Sequence, residues 1–202
     1  AKRAPLAAEL ARELTEYHRR LGASPASLAN LDRLVRGEAV ATVAGQQPAP
    51  LGGPLYSLHK TASAIGLAAD VTRRTGAACV PLFWMHGEDS DFAEIRGVSV
   101  ADAELSLHEL RLPDAAHTEG QLVGNIGLDA VRELGTEAIQ HWQGLPGHAD
   151  VLALLTRSLA HARDLGEAAS ALWLALFAEQ GLVVVDPRLP AFRAAARPIV
   201  ER

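Results

Sequence analysis

The N-terminal part of the chain repeats its apolar positions with the spacing of an α-helix. The apolar positions of the first helical pattern are Leu6, Leu10, Leu14, Tyr17 and Leu21. This spacing predicts an amphipathic helix that ends near Gly22. Ser24 and Pro25 are typical of an N-cap and a first helical position, so a second helix is expected to begin there.

Three short apolar runs have the pattern of buried β-strands. They are "AVATVA" (39–44), "ACVPLFW" (78–84) and "LVVVD" (182–186). Such uninterrupted runs are typical of parallel strands that are covered on both faces. A helical pattern from about Leu55 to Arg74 joins the first two runs, so they predict a β-α-β unit with a right-handed crossover.

Between the second and third runs the pattern is mostly helical. Helices are expected at roughly 127–143 and 148–180, whereas "SVADAELSLHELRLPD" (99–114) is compatible with one or two strands whose positions remain open. A last amphipathic helix is expected from about Ala191. We therefore predict an α/β fold with a mostly helical insertion, divided into residues 1–100, 101–180 and 181–202.

Composition narrows the class of protein. Hydrophobic residues make up 49% and charged residues 21% of the 202 positions, which is typical of a globular chain. The formal charge of −5 argues against nucleic acid as a partner, because phosphate binding favours a basic surface. A single cysteine, Cys79, allows no internal disulfide, and the longest apolar stretch (168–178) is too short to span a bilayer. No signal peptide is visible, so a soluble, cytoplasmic protein without membrane contact is expected.

Polar groups follow each predicted strand, where ligands bind in open parallel sheets. Gly45, Gln46 and Gln47 follow the first strand, and a loop containing Gly53 leads into a helix that carries Tyr56, His59 and Lys60. His86, Glu88, Asp89 and Asp91 follow the second strand, and Asp186 ends the third. Glycines before a helix N-terminus could let backbone N–H groups approach a phosphate or carboxylate.

Each of these groups also has a purely structural interpretation. The glycines could form only a turn and a helix start, because they fit no established phosphate-binding motif. His59 and Lys60 could be ordinary surface residues, and Asp186 could cap its strand. The acidic cluster could be neutralised by Arg96, or it could bind a cation or an ammonium group.

Three segments, in order, resemble the bacillithiol biosynthesis cysteine-adding enzymes, the BshC family. They are "AGQQPAPLGGPLYSLHK" (44–60), "PLFWMHGEDSDFAEI" (81–95) and "LFAEQGLVVVDP" (176–187). The resemblance implies a Rossmann-like core, similar to class I nucleotidyl transferases, with a helical insertion between its second and third strands. It also implies a ligase that condenses cysteine with glucosaminyl-malate, with ATP or a related nucleotide as cofactor and magnesium as a further candidate.

The resemblance suggests roles for the strand-end residues. Catalysis is assigned to His59, Lys60, Asp89 and Asp91; cofactor binding to Gly45, Gln46, Gln47, Gly53 and Tyr56; and substrate binding to His86 and Glu88. The metal ligands stay unassigned. Ala44 and Ser90 depart from the family pattern, which usually has threonine and histidine there. The missing histidine puts proton transfer or metal binding at this turn in question.

Family members are much longer than this chain, so three explanations stay open. The sequence could be a fragment of a longer enzyme, a half-enzyme completed by another chain, or a short relative that binds without turnover. The alternative functions are a non-catalytic module for a nucleotide or small acid, and an oligomerisation domain. A homo-oligomer, or contact with the remainder of the enzyme, is therefore an expected partnership.

Overall fold

The three apolar runs pair as a parallel sheet in the computed structural model, which describes residues 4–200. The strands are β1 (Val40–Gln46), β2 (Cys79–Met85) and β5 (Val183–Val185), in the spatial order β1-β2-β5. Gly45 lies opposite Trp84, which in turn lies opposite Val185. The carboxyl ends of all three strands are therefore level, and the polar residues that follow them share one end of the sheet.

Helices cover both faces of this sheet. α1 (Ala8–Arg20), α2 (Pro25–Val35) and α8 (Pro190–Val200) pack on one face, where the buried side chains include Leu10, Leu14, Leu31, Val183, Val185 and Ala191. Ser24 caps α2 by accepting a hydrogen bond from the Ser27 N–H, and Pro25 is its first residue, as the sequence pattern predicts. The result is a three-layer α/β arrangement.

α3 (Leu55–Thr75) connects β1 to β2 and packs on both strands. Helical spacing suggests Leu58, Ala62, Ile65, Ala69 and Val71 as inward positions, but Ala62 and Ala69 are exposed and the other three are only half-buried. The buried positions are Ser57, Thr61, Ala64 and Ala68. These small residues let the helix lie close to the strands, and the Thr61 hydroxyl donates to the Ser57 carbonyl within the helix. The Thr42 hydroxyl of β1 donates to the Ala64 carbonyl at 2.7 Å, so the helix lies close to this strand.

The insertion between β2 and β5 begins with the short helix α4 (Phe92–Ile95). An antiparallel hairpin follows, formed by β3 (Gly97–Ala101) and β4 (Leu107–Arg111). Three helices follow: α5 (Leu128–His141), α6 (His148–Ala160) and α7 (Leu165–Leu176). The hairpin and α5 enclose a second hydrophobic core whose fully buried members include Leu112, Val123, Ile126 and Ala138. The insertion is mostly helical, as expected.

The single helix expected at 148–180 is wrong, because the chain breaks between α6 and α7. Asp164 adopts an extended conformation and its Oδ1 accepts a hydrogen bond from the Glu167 N–H, at 2.9 Å. Aspartate in this position starts a new helix. α7 then packs against the sheet, with the rings of Trp173 and Phe83 5.1 Å apart between centroids. α7 therefore joins the insertion to the sheet.

Two smaller features bear on the class of protein. Within residues 4–200, no helix combines the length and apolar character needed to cross a membrane. Cys79, at the start of β2, is a half-buried free thiol.

Candidate functional site

A chain of hydrogen bonds connects the ends of β1 and β2. Lys60 Nζ donates to Gln46 Oε1 at 3.0 Å, and Gln46 Nε2 donates to Gln47 Oε1 at 3.2 Å. Gln47 Nε2 then donates to Asp89 Oδ2 at 2.8 Å and to Glu94 Oε2 at 3.2 Å. The structure thus brings together residues that lie more than forty positions apart in sequence. A basic group stands at one end of this chain and two carboxylates at the other.

The acidic turn at the end of β2 is held by backbone N–H groups rather than by a basic side chain. Asp89 Oδ1 accepts hydrogen bonds from the N–H groups of Ser90 and Asp91, at 2.6 and 3.0 Å. The Asp91 N–H, with contributions from Gln47 and the Ser90 N–H, lowers the pKa of Asp89 below its ordinary value. Asp89 is therefore ionised at neutral pH. Arg96, the suggested partner, instead pairs with Asp114 at 2.8 Å.

His86 and Glu88 lie beside this carboxylate. His86 Nε2 is 3.5 Å from Glu88 Oε1, and its Nδ1 is 3.9 Å from Asp89 Oδ2. Glu88 Oε2 is buried and has no hydrogen-bond partner within residues 4–200. A buried carboxylate oxygen without a partner is costly, so this atom is suited to a donor that a ligand would bring.

The loop between Gln47 and α3 is strained and turned inward. Leu51 has a φ of 55°, which is unusual for a residue with a side chain, while Gly52 and Gly53 have φ values of 91° and 71°. The Gly52 and Gly53 N–H groups donate to the Ala49 and Pro50 carbonyls. The expectation that these glycine N–H groups face an anion is therefore wrong. In the first turn of α3 the Ser57 N–H donates to the Pro54 carbonyl at 2.9 Å, and a helix start leaves its first N–H groups without intrahelical partners.

The side chains on α3 differ in how they meet this site. Lys60 Nζ lies 4.9 Å from the centroid of the Tyr56 ring, a cation–π distance, and the Tyr56 side chain is largely exposed. The His59 side chain is exposed and makes no hydrogen bond, ion pair or ring contact within residues 4–200. Lys60 is therefore part of the connected site, whereas His59 stands at its margin.

Three other predicted residues have structural roles in the described fold. A Cβ atom at Gly45 would lie 2.9 Å from the Trp84 carbonyl oxygen, so close strand packing requires glycine there. Asp91 caps α4 by accepting a hydrogen bond from the Glu94 N–H, at 3.2 Å. Asp186 caps its strand end, as the structural alternative predicted, and its carboxylate binds Arg188.

Two residues of the site were not predicted from the sequence. Glu94 and Asp89 both accept a hydrogen bond from the side-chain amide of Gln47. The sequence signal for Glu94 was its position two residues after "GEDSDF" (87–92). Arg188 contacts Gly87, the residue before Glu88, although 101 positions separate Gly87 from Arg188 in the chain. The sequence shows the positive charge of Arg188 and its position two residues after Asp186. Its hydrogen-bond partners could not be predicted, because some of them lie in the insertion.

The polar side chains at the strand ends can be compared with the two suggested cofactors, magnesium and a nucleotide. Within residues 4–200, no three His, Cys, Asp or Glu side chains converge as a metal site. Magnesium that accompanies a nucleotide is usually held by one or two carboxylates together with water and phosphate oxygens, so magnesium stays a candidate cofactor. The start of α3 and Lys60 form a positive region suited to a phosphate or carboxylate.

A cavity of ≈ 460 Å³ lies on the other side of the loop at 49–52. It is lined mainly by apolar side chains of α5, α6 and α7, among them Val131, Leu155 and Leu172. None of the predicted site residues lines it. The cavity and the strand-end site thus share only the loop that separates them.

The fold and the site together define a Rossmann-like α/β domain with hydrogen-bonded polar groups at the carboxyl ends of adjacent parallel strands. The chain belongs to the family described as the N-terminal Rossmann-like domain of bacillithiol biosynthesis BshC, whose model matches residues 1–202.

Curated relatives agree with this assignment. A protein of Geobacillus kaustophilus (strain HTA426) is 38% identical over 197 residues, and one of Koribacter versatilis (strain Ellin345) is 35% identical over 193 residues. Both carry the name "Putative cysteine ligase BshC". Each match covers 96% of this chain but 35% of the relative, so the chain spans about a third of their length.

Proposed function

We propose that this chain is the N-terminal Rossmann-like part of a cysteine ligase that joins cysteine to glucosaminyl-malate in bacillithiol biosynthesis. The observation that carries the proposal is the hydrogen-bonded chain from Lys60 through Gln46 and Gln47 to Asp89. It brings a basic group and the ionised carboxylate of Asp89 to one strand-end surface, which suits a zwitterionic amino acid. The names of the curated relatives support the same reaction class.

The carboxylates are the proposed binding site for the ammonium group of cysteine. Glu88 Oε2 has no partner within residues 4–200, and Asp89 is kept ionised by backbone N–H groups. An ammonium group has three donors and would satisfy both. His86, which lies between these two carboxylates, would move a proton from the ammonium or amine nitrogen.

The start of α3 and Lys60 are the proposed site for negative charge. The helix N-terminus and the Lys60 ammonium would stabilise the charge that develops on the reacting carboxylate, and His59 lies next to Lys60 on the same helix. Tyr56, Gln46 and Gln47 would position this end of the substrate. ATP or a related nucleotide, when bound here, would supply the activation of the cysteine carboxylate before the sugar amine forms the C–N bond.

The rest of the substrate site is expected outside this region. Relatives are about three times as long as the matched segment, so the remaining contacts would come from the rest of the enzyme or from another chain. A homo-oligomer would be one way to supply them. We expect the enzyme to act in the cytoplasm, where small thiols and ATP are available.

The test is a product assay on the natural gene product. Cysteine, glucosaminyl-malate and ATP are incubated with the enzyme, and the cysteinyl product is measured by mass spectrometry. Asp89→Asn should lower the rate by about a hundredfold, because it removes the charge but keeps the shape. His59→Ala should also lower it.

Asp114→Asn is the matched control, because Asp114 is an exposed carboxylate that pairs with Arg96. It should keep full activity. Full activity in both Asp89→Asn and His59→Ala would overturn the assignment of these residues. The absence of any product with the unmodified enzyme would overturn the proposed reaction.

A further inference from the structure

Arg188 is a buried arginine whose five N–H donors are all used. Its guanidinium binds Asp186 through Nε and Nη2, Asp164 through Nη1 and Nη2, and Asn125 through Nη1, at 2.6 to 3.1 Å. The side chain is 10% exposed. Burial disfavours the charged form, but the hydrogen bonds that Arg188 donates to Asp186 and Asp164 raise the pKa of Arg188 above its ordinary value. The group is a permanent cation at the junction of three elements.

Three glycines surround this guanidinium. A Cβ atom at Gly87 would lie 2.8 Å from Arg188 Nε, and one at Gly124 would lie 2.6 Å from Nε and Cζ. A Cβ atom at Gly166 would collide with Nη2. The three glycines come from the turn after β2, the segment before α5, and the first turn of α7. None has the positive φ that favours glycine, so the space taken by one arginine accounts for all three.

The same contacts reach the acidic turn of the candidate site. The Gly124 N–H donates to the Gly87 carbonyl at 3.0 Å, and the Val123 N–H donates to the Asp89 carbonyl at 2.8 Å. Residues 123 and 124 thus hold the backbone that carries Glu88 and Asp89. Arg188 in turn holds this segment through the Asn125 side chain and through packing on Gly124.

We infer that Arg188 is a positioning residue, which fixes the turn carrying Glu88 and Asp89 by clamping it between the end of β5 and the insertion. Its two carboxylate partners already neutralise its charge, so its effect on the site is geometric rather than electrostatic. The consequence for catalysis rests on the proposed function, whereas the consequence for the geometry of the turn does not.

The experiment compares Arg188→Lys with Arg20→Lys. Arg20 is the matched control because it also forms a two-point pair with a carboxylate, Glu167, at 2.7 and 2.8 Å. Its other contacts are the His161 carbonyl and the Tyr17 ring, outside the acidic turn. Lysine keeps the charge in both variants but cannot make the two-point contact.

The first readout is amide hydrogen exchange of the peptide at 120–126, measured by mass spectrometry on the natural gene product. Exchange of the Val123 and Gly124 amides should be at least about tenfold faster in Arg188→Lys and unchanged in Arg20→Lys. Unchanged exchange in Arg188→Lys, or the same acceleration in both variants, would overturn the inference. If Arg188→Lys does not fold, Gly124→Ala replaces it, because it displaces the guanidinium without removing it.

The second readout is the rate of product formation at a temperature where both variants are folded. Arg188→Lys should lose about ten- to a hundredfold relative to Arg20→Lys, since small displacements of substrate-binding groups cost rates of this size. Faster exchange without any loss of rate would overturn the catalytic part of the inference. If the unmodified enzyme forms no product, the proposed function fails and the exchange experiment still decides the positioning role.

Discussion

The two outer edges of the parallel sheet differ in what covers them. At the β5 edge all three strand residues are buried, and the Val184 N–H donates to His18 Nε2 of α1 at 3.2 Å. At the β1 edge no strand other than β2 pairs with β1 within residues 4–200, and the β1 residue Val43 is 61% exposed. The described chain therefore closes one edge with a helix and leaves the other available for another strand.

This difference shows that residues 4–200 stabilise the β5 edge of the sheet but leave the β1 edge without a pairing strand. An open, uncharged edge invites pairing with another strand, and proteins usually protect such edges. β1 contains no charged residue and no proline, whereas the Val184 N–H at the β5 edge is hydrogen-bonded to the buried His18. We expect substitutions at the β5 edge to affect folding strongly and substitutions at the β1 edge to affect mainly association.

The largest expected effect comes from His18→Ala. His18 is fully buried, its Nδ1 donates to the Leu14 carbonyl at 2.8 Å, and its Nε2 accepts from the Val184 N–H. Removing the ring leaves that N–H unpaired and creates a cavity, so the free energy of unfolding should fall by about 3–4 kcal/mol. Urea denaturation of the 202-residue chain measures this. His59→Ala, at an exposed histidine, is the control, and a comparable loss there would contradict the comparison.

The same histidine makes the closed edge sensitive to acid. Burial lowers the pKa of His18 from 6.5 to about 4, so the folded state binds its proton less readily than the unfolded state. Stability should therefore be complete above pH 6.5 and should fall by about 3 kcal/mol as the pH drops to about 4. Urea denaturation at a series of pH values measures the slope.

A second titrating group, Glu167, affects stability mainly below this window. Hydrogen bonds from Arg20 and Arg163 overcome the opposing effect of burial and lower the pKa of Glu167 from 4.5 to about 2. Its contribution is present above pH 4.5 and is lost only as the pH falls further. A pH-independent stability between 6.5 and 4.5 would contradict the role of His18.

The same substitution on both edges sharpens the comparison. Val184→Thr buries a hydroxyl among apolar side chains and should lower the free energy of unfolding by about 2 kcal/mol. Val43→Thr places the same hydroxyl in water and should change it by less than about 0.5 kcal/mol. Equal shifts of the urea midpoint would show that the two edges do not differ as described.

The smallest expected effect on stability is that of Val43→Lys. A lysine on the free edge discourages strand pairing between chains, while the fold itself loses less than about 0.5 kcal/mol. Sedimentation of the 202-residue chain at high concentration should show associated species, and Val43→Lys should reduce their fraction. Association that is unaffected by this change would place the contact elsewhere.

Much of the fold could be predicted from local patterns. The three strands lie within two residues of their predicted bounds, and the helix after β1 begins at the predicted residue, Leu55. Apolar runs and caps carry this information because they depend on neighbouring residues alone. The break before α7 was missed because the apolar pattern continues across it, although Asp164 was a usable N-cap signal.

The candidate site was predictable in its members but not in its connections. The strand-end positions of Gln47 and Asp89 were evident from the sequence, whereas the hydrogen bond between them depends on the pairing of β1 with β2. The glycine loop was misjudged because the direction of a backbone N–H depends on the turn that forms. Its glycines donate inward, to Ala49 and Pro50.

The sequence by itself determined the α/β class, the parallel order implied by the first β-α-β unit, and the family through three ordered segments. Only the tertiary structure decided which carboxylates have partners and which do not. It decided that Asp186 pairs with Arg188, that Arg96 pairs with Asp114, and that one oxygen of Glu88 has no hydrogen-bond partner among the described residues. The physical reason is that strands and helices follow from local periodicity, whereas the pairing of charges depends on segments that meet only after the insertion has folded.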